Sequence, residues 1–370
     1  MIVQKLIGGE TLKQNTEKLG SAGKKRLFEL SFMNVIFTLM VIFVHIFGES
    51  VTGLDKSSLQ YFTVFAPWKL FQFVVQGFVF LSGVKLFIKD KTLENVGGFY
   101  FGRLKRVVLP YVIWVVIYYA YFVAIRWINA DTGEFFRYLV TGDISAQFYF
   151  VIIICQMYLL APVISKILNK TDSFTPVIYS LFISLLLGQY MPGLVALFEP
   201  EYYFAYNDRL FTTYLFYFVA GAVVGKNYEA VKKALLSAKV SVYVMFGFFA
   251  ASNLTLSYLT SSGRIYIGWL EPLHFAYSVS AVLAAFTFFA WVSERRADTP
   301  RLIRALDSSS YMLYLSHVLV LFMVRRSLDR FGVVDIGVRL VLTVVLMTLY
   351  IAVSVPVWET LKGAKRKSRI

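Results

Sequence analysis

The 370-residue chain is 58% hydrophobic and 18% aromatic, with only 16% charged residues, against about 25% in an average soluble domain. That composition excludes a soluble globular enzyme and places the chain in a bilayer. The surplus of 37 Lys and Arg over 22 Asp and Glu would suggest nucleic acid in a soluble protein, but no nucleic-acid module, Gly-rich phosphate loop or G-x-S-x-G elbow is present.

In chain order, residues 1–27 form a polar, Lys-rich tail, and the first apolar run extends from Phe28 to Gly48. The leader is long and no small-residue cleavage site follows His45 closely, so this run reads as a retained first span rather than a signal peptide. Further spans are expected at Pro67 to Ile88, Val107 to Ile125, Phe148 to Ile167, Thr175 to Met191, Leu210 to Val224, Val240 to Leu259, Pro272 to Val292, Tyr311 to Val324, and Leu340 to Trp358. About 20 apolar residues cross a hydrocarbon core of roughly 30 Å as a helix. Continuous apolarity, without the alternation of a barrel strand, makes the fold class all-α: a polytopic bundle of about ten transmembrane helices. A single membrane domain then covers residues 28–358, followed by a basic tail over 359–370. No repeat of fixed period or long linker divides it.

Ten spans put both termini on one side. The loops on that side carry 27 Lys and Arg and the opposite loops nine, so both termini are expected in the cytoplasm of a cell-membrane protein. The last outer loop is the exception, with Arg325, Arg326, Arg330 and Arg339. These are expected to snorkel, to pair with Asp329 and Asp335, or to attract an anionic acceptor. Tyr and Trp near span ends, such as Trp114, Tyr118, Tyr119, Tyr121 and Trp127, read as interfacial anchors.

Three polar features inside this apolar frame carry candidate chemistry. His45 lies in the outer half of the first span, and an intramembrane imidazole is by default a functional candidate, its alternative being a histidine satisfied by a neighbouring helix. Asn34 precedes it by 11 residues, three turns deeper and on nearly the same face. His317 falls near the midplane beside Tyr311, Tyr314 and Ser316, any of which can bond an imidazole. His274 starts an inward-running span at the outer surface just after Glu271 and Pro272; it reads as a solvated interfacial histidine or, as Glu271 does, as a candidate to orient His45. The segment Gly102 to Tyr111 places Arg103 and Arg106 three apart at the basic entrance of the third span, a spacing suited to a polyanion such as a nucleotide phosphate or, equally, to any positive-inside loop. The single cysteine, Cys155, excludes an intrachain disulfide. The three histidines have no metal-ligand spacing, and no metal is expected.

Taken together, these residues resemble the membrane acyltransferases of the acyltransferase-3 type. In that family the first span carries an arginine, ten intervening residues and a histidine; here His45 matches the histidine and Asn34 stands in place of the arginine. F-V-F-L-S-G (Phe78 to Gly83) is similar to the family's Leu-Ser-Gly ending of the second span. Arg103, Arg106, Pro110 and Tyr111 are similar to its R-x-x-R and Pro-Tyr, and S-Y-M-L-Y-L-S-H (Ser310 to His317) to its Ser and Tyr-Leu-x-His element. Phe150 to Leu160 and Phe216 to Glu229 resemble the branch of polysaccharide intercellular-adhesion membrane proteins of staphylococci.

The resemblance implies transfer of an acetyl or succinyl group from cytosolic acyl-coenzyme A to a hydroxyl of an extracytoplasmic or lipid-linked glycan. His45 would be the general base and Arg103 and Arg106 the coenzyme's phosphate ligands. Asn34 and Tyr314 become candidate oxyanion donors, with His317 a further catalytic candidate. Lys69 and Lys85 are candidates for the positive charge that Asn34 lacks. The same polar path suits an exporter or flippase of a surface polysaccharide, and a third reading is a partner subunit of a glycan synthase.

Overall fold

The computed structural model describes residues 27–88, 94–199, 201, 204–295 and 298–367. Residues 1–26 and 368–370, which hold most of the expected N-terminal tail and the end of the C-terminal one, lie outside the described residues.

Every expected span is helical, and among the described residues there is no strand. The first span is α1, Phe28–Gly53, and the second is broken into α2, Leu59–Phe71, and α3, Val74–Phe87. The third comprises α4, Val96–Arg103, a π-helical turn, Leu104–Val108, and α5, Leu109–Ala124. A short amphipathic helix, α6, Thr132–Thr141, precedes α7, Tyr149–Lys170, and α8, Phe174–Ala196. Then follow α9, Phe211–Lys226, α10, Tyr228–Ser237, and α11, Lys239–Ser261. The chain closes with α12, Leu270–Ser293, α13, Arg301–Arg330, and α14, Ile336–Lys367. Eight described helical segments are long and apolar enough to cross a membrane, and nine if the bent α8 is one span. The remaining expected span, α9, has 16 residues and so reaches only about 24 Å.

α1 is apolar nearly all round, which suits a helix surrounded by others. It packs against α2, α3, α12, α13 and α14. The tightest approach is between α3 and α9. A Cβ on Gly83 would stand 2.4 Å from the Phe218 carbonyl oxygen, and one on Gly221 would stand 2.2 Å from that of Phe80. Glycine lets these backbones touch, as small residues do where helices associate in lipid without a hydrophobic drive. Gly83 of the Leu-Ser-Gly element is therefore a packing residue.

Polar contacts tie the helix ends into two layers. On the side where α1 begins, Glu29, 2% exposed, accepts from Tyr228 Oη at 2.5 Å and from Lys232 Nζ at 3.0 Å, and Lys232 also donates to Ser293 Oγ at 3.0 Å. On the opposite side Tyr61 Oη meets Ser261 Oγ at 3.0 Å. There Arg209 pairs with Asp143 at 2.5 Å. Of the pairings expected for the outer arginines, Arg339 makes the one with Asp329 and adds Glu49, which Arg325 also binds. Asp335 instead caps α14, accepting from the Val338 amide at 2.8 Å. An N-terminal carboxylate satisfies amides that a helix start leaves without partners.

Candidate active site

Asn34 and His45 lie on α1 about 16 Å apart along the axis, and α13 faces both. At the lower position Asn34 Nδ2 donates to Asp307 Oδ1 at 2.8 Å and to Ser310 Oγ at 2.7 Å, while Ser31 Oγ donates to Asp307 Oδ2 at 3.0 Å. The asparagine is thus fixed by a carboxylate, the partner expected of an arginine, and joins a network of neutral donors around one acid.

A cavity of about 260 Å³ opens beside it, with Asn34, Ser82, Arg106, Tyr158, Ser310 and Tyr314 among its walls. The cation that shares this space with Asn34 is Arg106, not Lys69 or Lys85, neither of which lines it. Lys69 is within electrostatic reach of Glu271 and His274 instead.

The two arginines of the R-x-x-R element flank one side chain, Tyr158. Arg103 ends α4 and stacks over Tyr158, 4.4 Å from the ring centroid, and over Phe99 at 5.1 Å. Arg106 lies in the π turn and lines the cavity. The local cause is Pro110, which has no amide hydrogen and would clash with the carbonyl four residues back. A π turn before it shifts the register, with Leu109 N bonding to Leu104 O, and such turns recur at functional sites. Tyr311 Oη takes up the Val107 carbonyl of this turn at 2.8 Å. Tyr158, under Arg103 and on the cavity wall, links the two arginines.

At the upper position His45 and His317 meet, their ring centroids 5.1 Å apart and their planes inclined by 54°. His317 is fully buried, and its Nδ1 lies 2.8 Å from the Tyr314 carbonyl and 3.2 Å from that of Leu313. Both neighbours are acceptors, so Nδ1 carries the proton and Nε2 is left as a lone-pair nitrogen. Nε2 is buried without a hydrogen-bond partner. Buried polar atoms are nearly always paired, so an exception calls for a functional explanation.

Tyr118 shapes the turn that carries His317. Its hydroxyl accepts from the Leu319 amide at 2.8 Å and donates to the Leu315 carbonyl at 3.1 Å, standing between the two ends of one helical rung. Insertion of a side chain into the hydrogen-bond ladder is a recognised cause of local helix distortion. Gln147 supports it, donating to Tyr118 Oη at 2.8 Å and to Leu315 O at 3.3 Å, and the Gln147 carbonyl accepts from Tyr314 Oη. Tyr118 is therefore a core residue, 0% exposed, and not the interfacial anchor expected from its aromatic neighbours. Tyr314, expected as an oxyanion donor, spends its hydroxyl on a backbone carbonyl.

The cavity does not reach the histidines. Phe78, Phe150 and Tyr314 close its end, with ring centroids 5.4 to 6.3 Å apart, and the Tyr314 ring stands 5.9 Å from that of His317. His274 does not join the pair either. Its ring packs 5.8 Å from Tyr277, and the main-chain carbonyl of His45 is held by Arg325 Nη2 at 2.7 Å. Among the described residues no cluster of His, Cys, Asp and Glu suits a metal ion.

Sequence reasoning missed Asp307 and Gln147, and gave Tyr118 and Arg325 other roles, an interfacial anchor and an outer-loop cation. Asp307 had a signal, an acid one turn before Ser310 at the mouth of a span, where intramembrane carboxylates are costly. Gln147 and Tyr118 had none, because their roles depend on which helix they face.

Comparison with known proteins bears on this geometry. The model of a family described as an acyltransferase domain, of type 3, matches residues 28–359. Proteins from Staphylococcus aureus strains MSSA476, MW2 and N315, each named as a probable poly-beta-1,6-N-acetyl-D-glucosamine export protein, are 22% identical over 244 residues, covering 62% of this chain and 67% of theirs. No solved structure matches.

Proposed function

The chain belongs to the acyltransferase-3 family, and from that premise we propose that it is a multi-pass O-acyltransferase of the cell membrane, with both termini in the cytoplasm. It moves an acetyl or succinyl group from cytosolic acyl-coenzyme A to a hydroxyl of an extracytoplasmic or lipid-linked glycan. The observation that carries this reading is the histidine pair in the apolar bundle, with one imidazole nitrogen buried and unpaired.

Coenzyme A docks at the basic side. Arg106, exposed at the cavity mouth, takes its phosphates, because guanidinium binds phosphate oxygens through charge-assisted hydrogen bonds. Arg103 adds positive potential from its seat on Tyr158. The acyl-pantetheine arm, uncharged when it carries acetyl, fills the cavity past Asn34 and Ser82 and parts the rings of Phe78 and Phe150, which carry no polar anchor. His317 orients the partner ring: with its Nδ1 hydrogen committed to backbone carbonyls, its unpaired Nε2 is placed to accept the N–H of His45 once the substrates close the site, which leaves the other His45 nitrogen free as a base. That nitrogen takes the proton of the sugar hydroxyl as its oxygen attacks the thioester carbonyl. The carbon–sulfur bond then breaks, and the coenzyme A thiolate recovers the proton from His45. General-base help of this kind contributes about 10²- to 10⁴-fold.

The name of the staphylococcal relatives favours a second reading, export of a polysaccharide without covalent change. One experiment separates the two. Purified protein in liposomes is given radiolabelled acetyl- or succinyl-coenzyme A and an N-acetylglucosamine oligomer. Acyl transfer that is lost in His45→Ala supports the enzyme, whereas turnover unchanged in that variant, or oligomer movement without loss of acyl-coenzyme A, overturns it.

A further inference from the structure

A second cavity, of about 500 Å³, lies at the opposite end of α1, with Glu49, Thr52, Asp329, Val333, Val334 and Arg339 among its walls. Its size falls within the range of small-molecule sites, roughly 300–1,000 Å³. Its polar wall belongs to a chain of ion pairs, of which Glu49, Arg339 and Asp329 line the cavity. Glu49 Oε2 meets Arg325 Nε at 2.8 Å, Glu49 Oε1 meets Arg339 Nη2 at 2.6 Å, and Arg339 Nη1 meets Asp329 Oδ1 at 2.8 Å. The two guanidiniums and two carboxylates of the chain cancel, so it offers fixed donors and acceptors without a net charge.

The opposite wall is apolar and open, with Val334 86% exposed. A neutral sugar ring with carbon–hydrogen faces and many hydroxyls matches such a site: hydroxyls exchange hydrogen bonds with the ion chain while a face rests on the valines. An anion or a cation gains little from a neutralised chain, and a purely apolar ligand would leave desolvated carboxylates without partners.

The position ties this cavity to the histidine pair. Glu49 follows His45 by four residues, so it lies one turn, about 6 Å, further along the same face of α1. Arg325 touches both levels, pairing with Glu49 through Nε and donating from Nη2 to the His45 carbonyl oxygen at 2.7 Å.

We propose that this cavity is the acceptor site, binding a neutral pyranose unit of a polysaccharide chain one helical turn from His45. Calling the bound sugar an acceptor rests on the acyl-transfer reading, but its binding does not. The ion chain is a positioning device for sugar hydroxyls, and Arg325, at its end, fixes the distance between it and the histidine backbone.

The test is a binding measurement on the full-length protein in nanodiscs without acyl donor, using penta-N-acetylglucosamine as probe and a uronic-acid and a de-N-acetylated glucosamine oligomer as charged controls. Wild type is expected to bind the neutral oligomer at least tenfold more tightly than either charged one. Thr52→Trp, at an exposed position that projects bulk into the cavity, is expected to weaken binding at least tenfold, and Asp329→Asn, which unbalances the ion chain, several-fold. Size-exclusion profiles and thermal midpoints matching wild type show that both variants remain folded. No binding by wild type, equal binding by Thr52→Trp, or preference for a charged oligomer overturns the site. If wild type binds the neutral oligomer and Thr52→Trp does not, yet no acyl group is transferred in the liposome assay, the cavity stands and the acyl-transfer reading falls.

Discussion

The two polar stations of α1 are built in opposite ways. Asn34 is a saturated station: its amide donates to both Asp307 and Ser310, and the cavity beside it is open to the basic side. His45 is an unsaturated one, packed against an imidazole whose Nε2 has no partner. A polar group in lipid is tolerated when its bonds are made in advance, and an unmade bond is retained where a ligand or a proton completes it. The lower station is suited to hold a donor, and the upper one to move a proton.

If that division is right, the largest effect comes from the upper station. His45→Ala should lower transfer by about 10²- to 10⁴-fold, while Asn34→Ala should act mainly on the KM for acyl-coenzyme A; a similar loss of kcat in both variants would erase the distinction. Next is Arg106→Ala, expected to raise the KM for acyl-coenzyme A by about 10- to 100-fold, the worth of a charge-assisted hydrogen bond. Arg103→Ala should give a smaller rise, since Arg103 stands behind Tyr158, and equal effects would return both arginines to a single clamp. Tyr118→Phe tests the support of His317. It should lower kcat by about tenfold or more with little change in KM and destabilise the protein by about 1–3 kcal/mol, and an unchanged kcat would separate the helix insertion from catalysis.

The smallest effect lies outside both stations. Asp143 is bound by Arg209, Arg137, Thr141 and Tyr206. Burial pushes its carboxyl up, but the Thr141 and Arg209 contacts outweigh burial and hold it below its ordinary value of 3.8. A depressed carboxylate stabilises the fold above its unfolded pKa, and that contribution is lost as pH falls through the folded value. Asp143→Asn should therefore cost about 1 kcal/mol near neutral pH, and the difference from wild type should disappear in acid, as followed by thermal unfolding in detergent.

The sequence made the bundle legible because apolar length is a strong signal that little else imitates: all ten expected spans are helices. It was less informative about partners. The 11-residue spacing placed Asn34 and His45 on one face, and the Tyr-Leu-x-His element flagged His317, but nothing along the chain says that residues 45 and 317 touch. Arg103 and Arg106 show the limit from the other side. Their spacing promised a shared face on an ideal helix; the turn before Pro110 is π-helical, and Arg103 stacks on Tyr158 while Arg106 lines the cavity that Tyr158 also walls. Tyr118 was hidden by its surroundings, because five aromatic residues near a span end look alike until one is found inside a neighbouring helix.

The ring plug of Phe78, Phe150 and Tyr314 has a consequence for the energetics of the cell. A water-filled passage from the basic-side cavity to the opposite face would be a leak, since each elementary charge crossing a membrane releases about 2.3 kcal/mol per 100 mV. Three aromatic rings with centroids 5.4 to 6.3 Å apart stand across that route. In the acyl-transfer reading proposed above the rings would act as a gasket, wedged apart briefly by the acyl arm while the membrane stays charged.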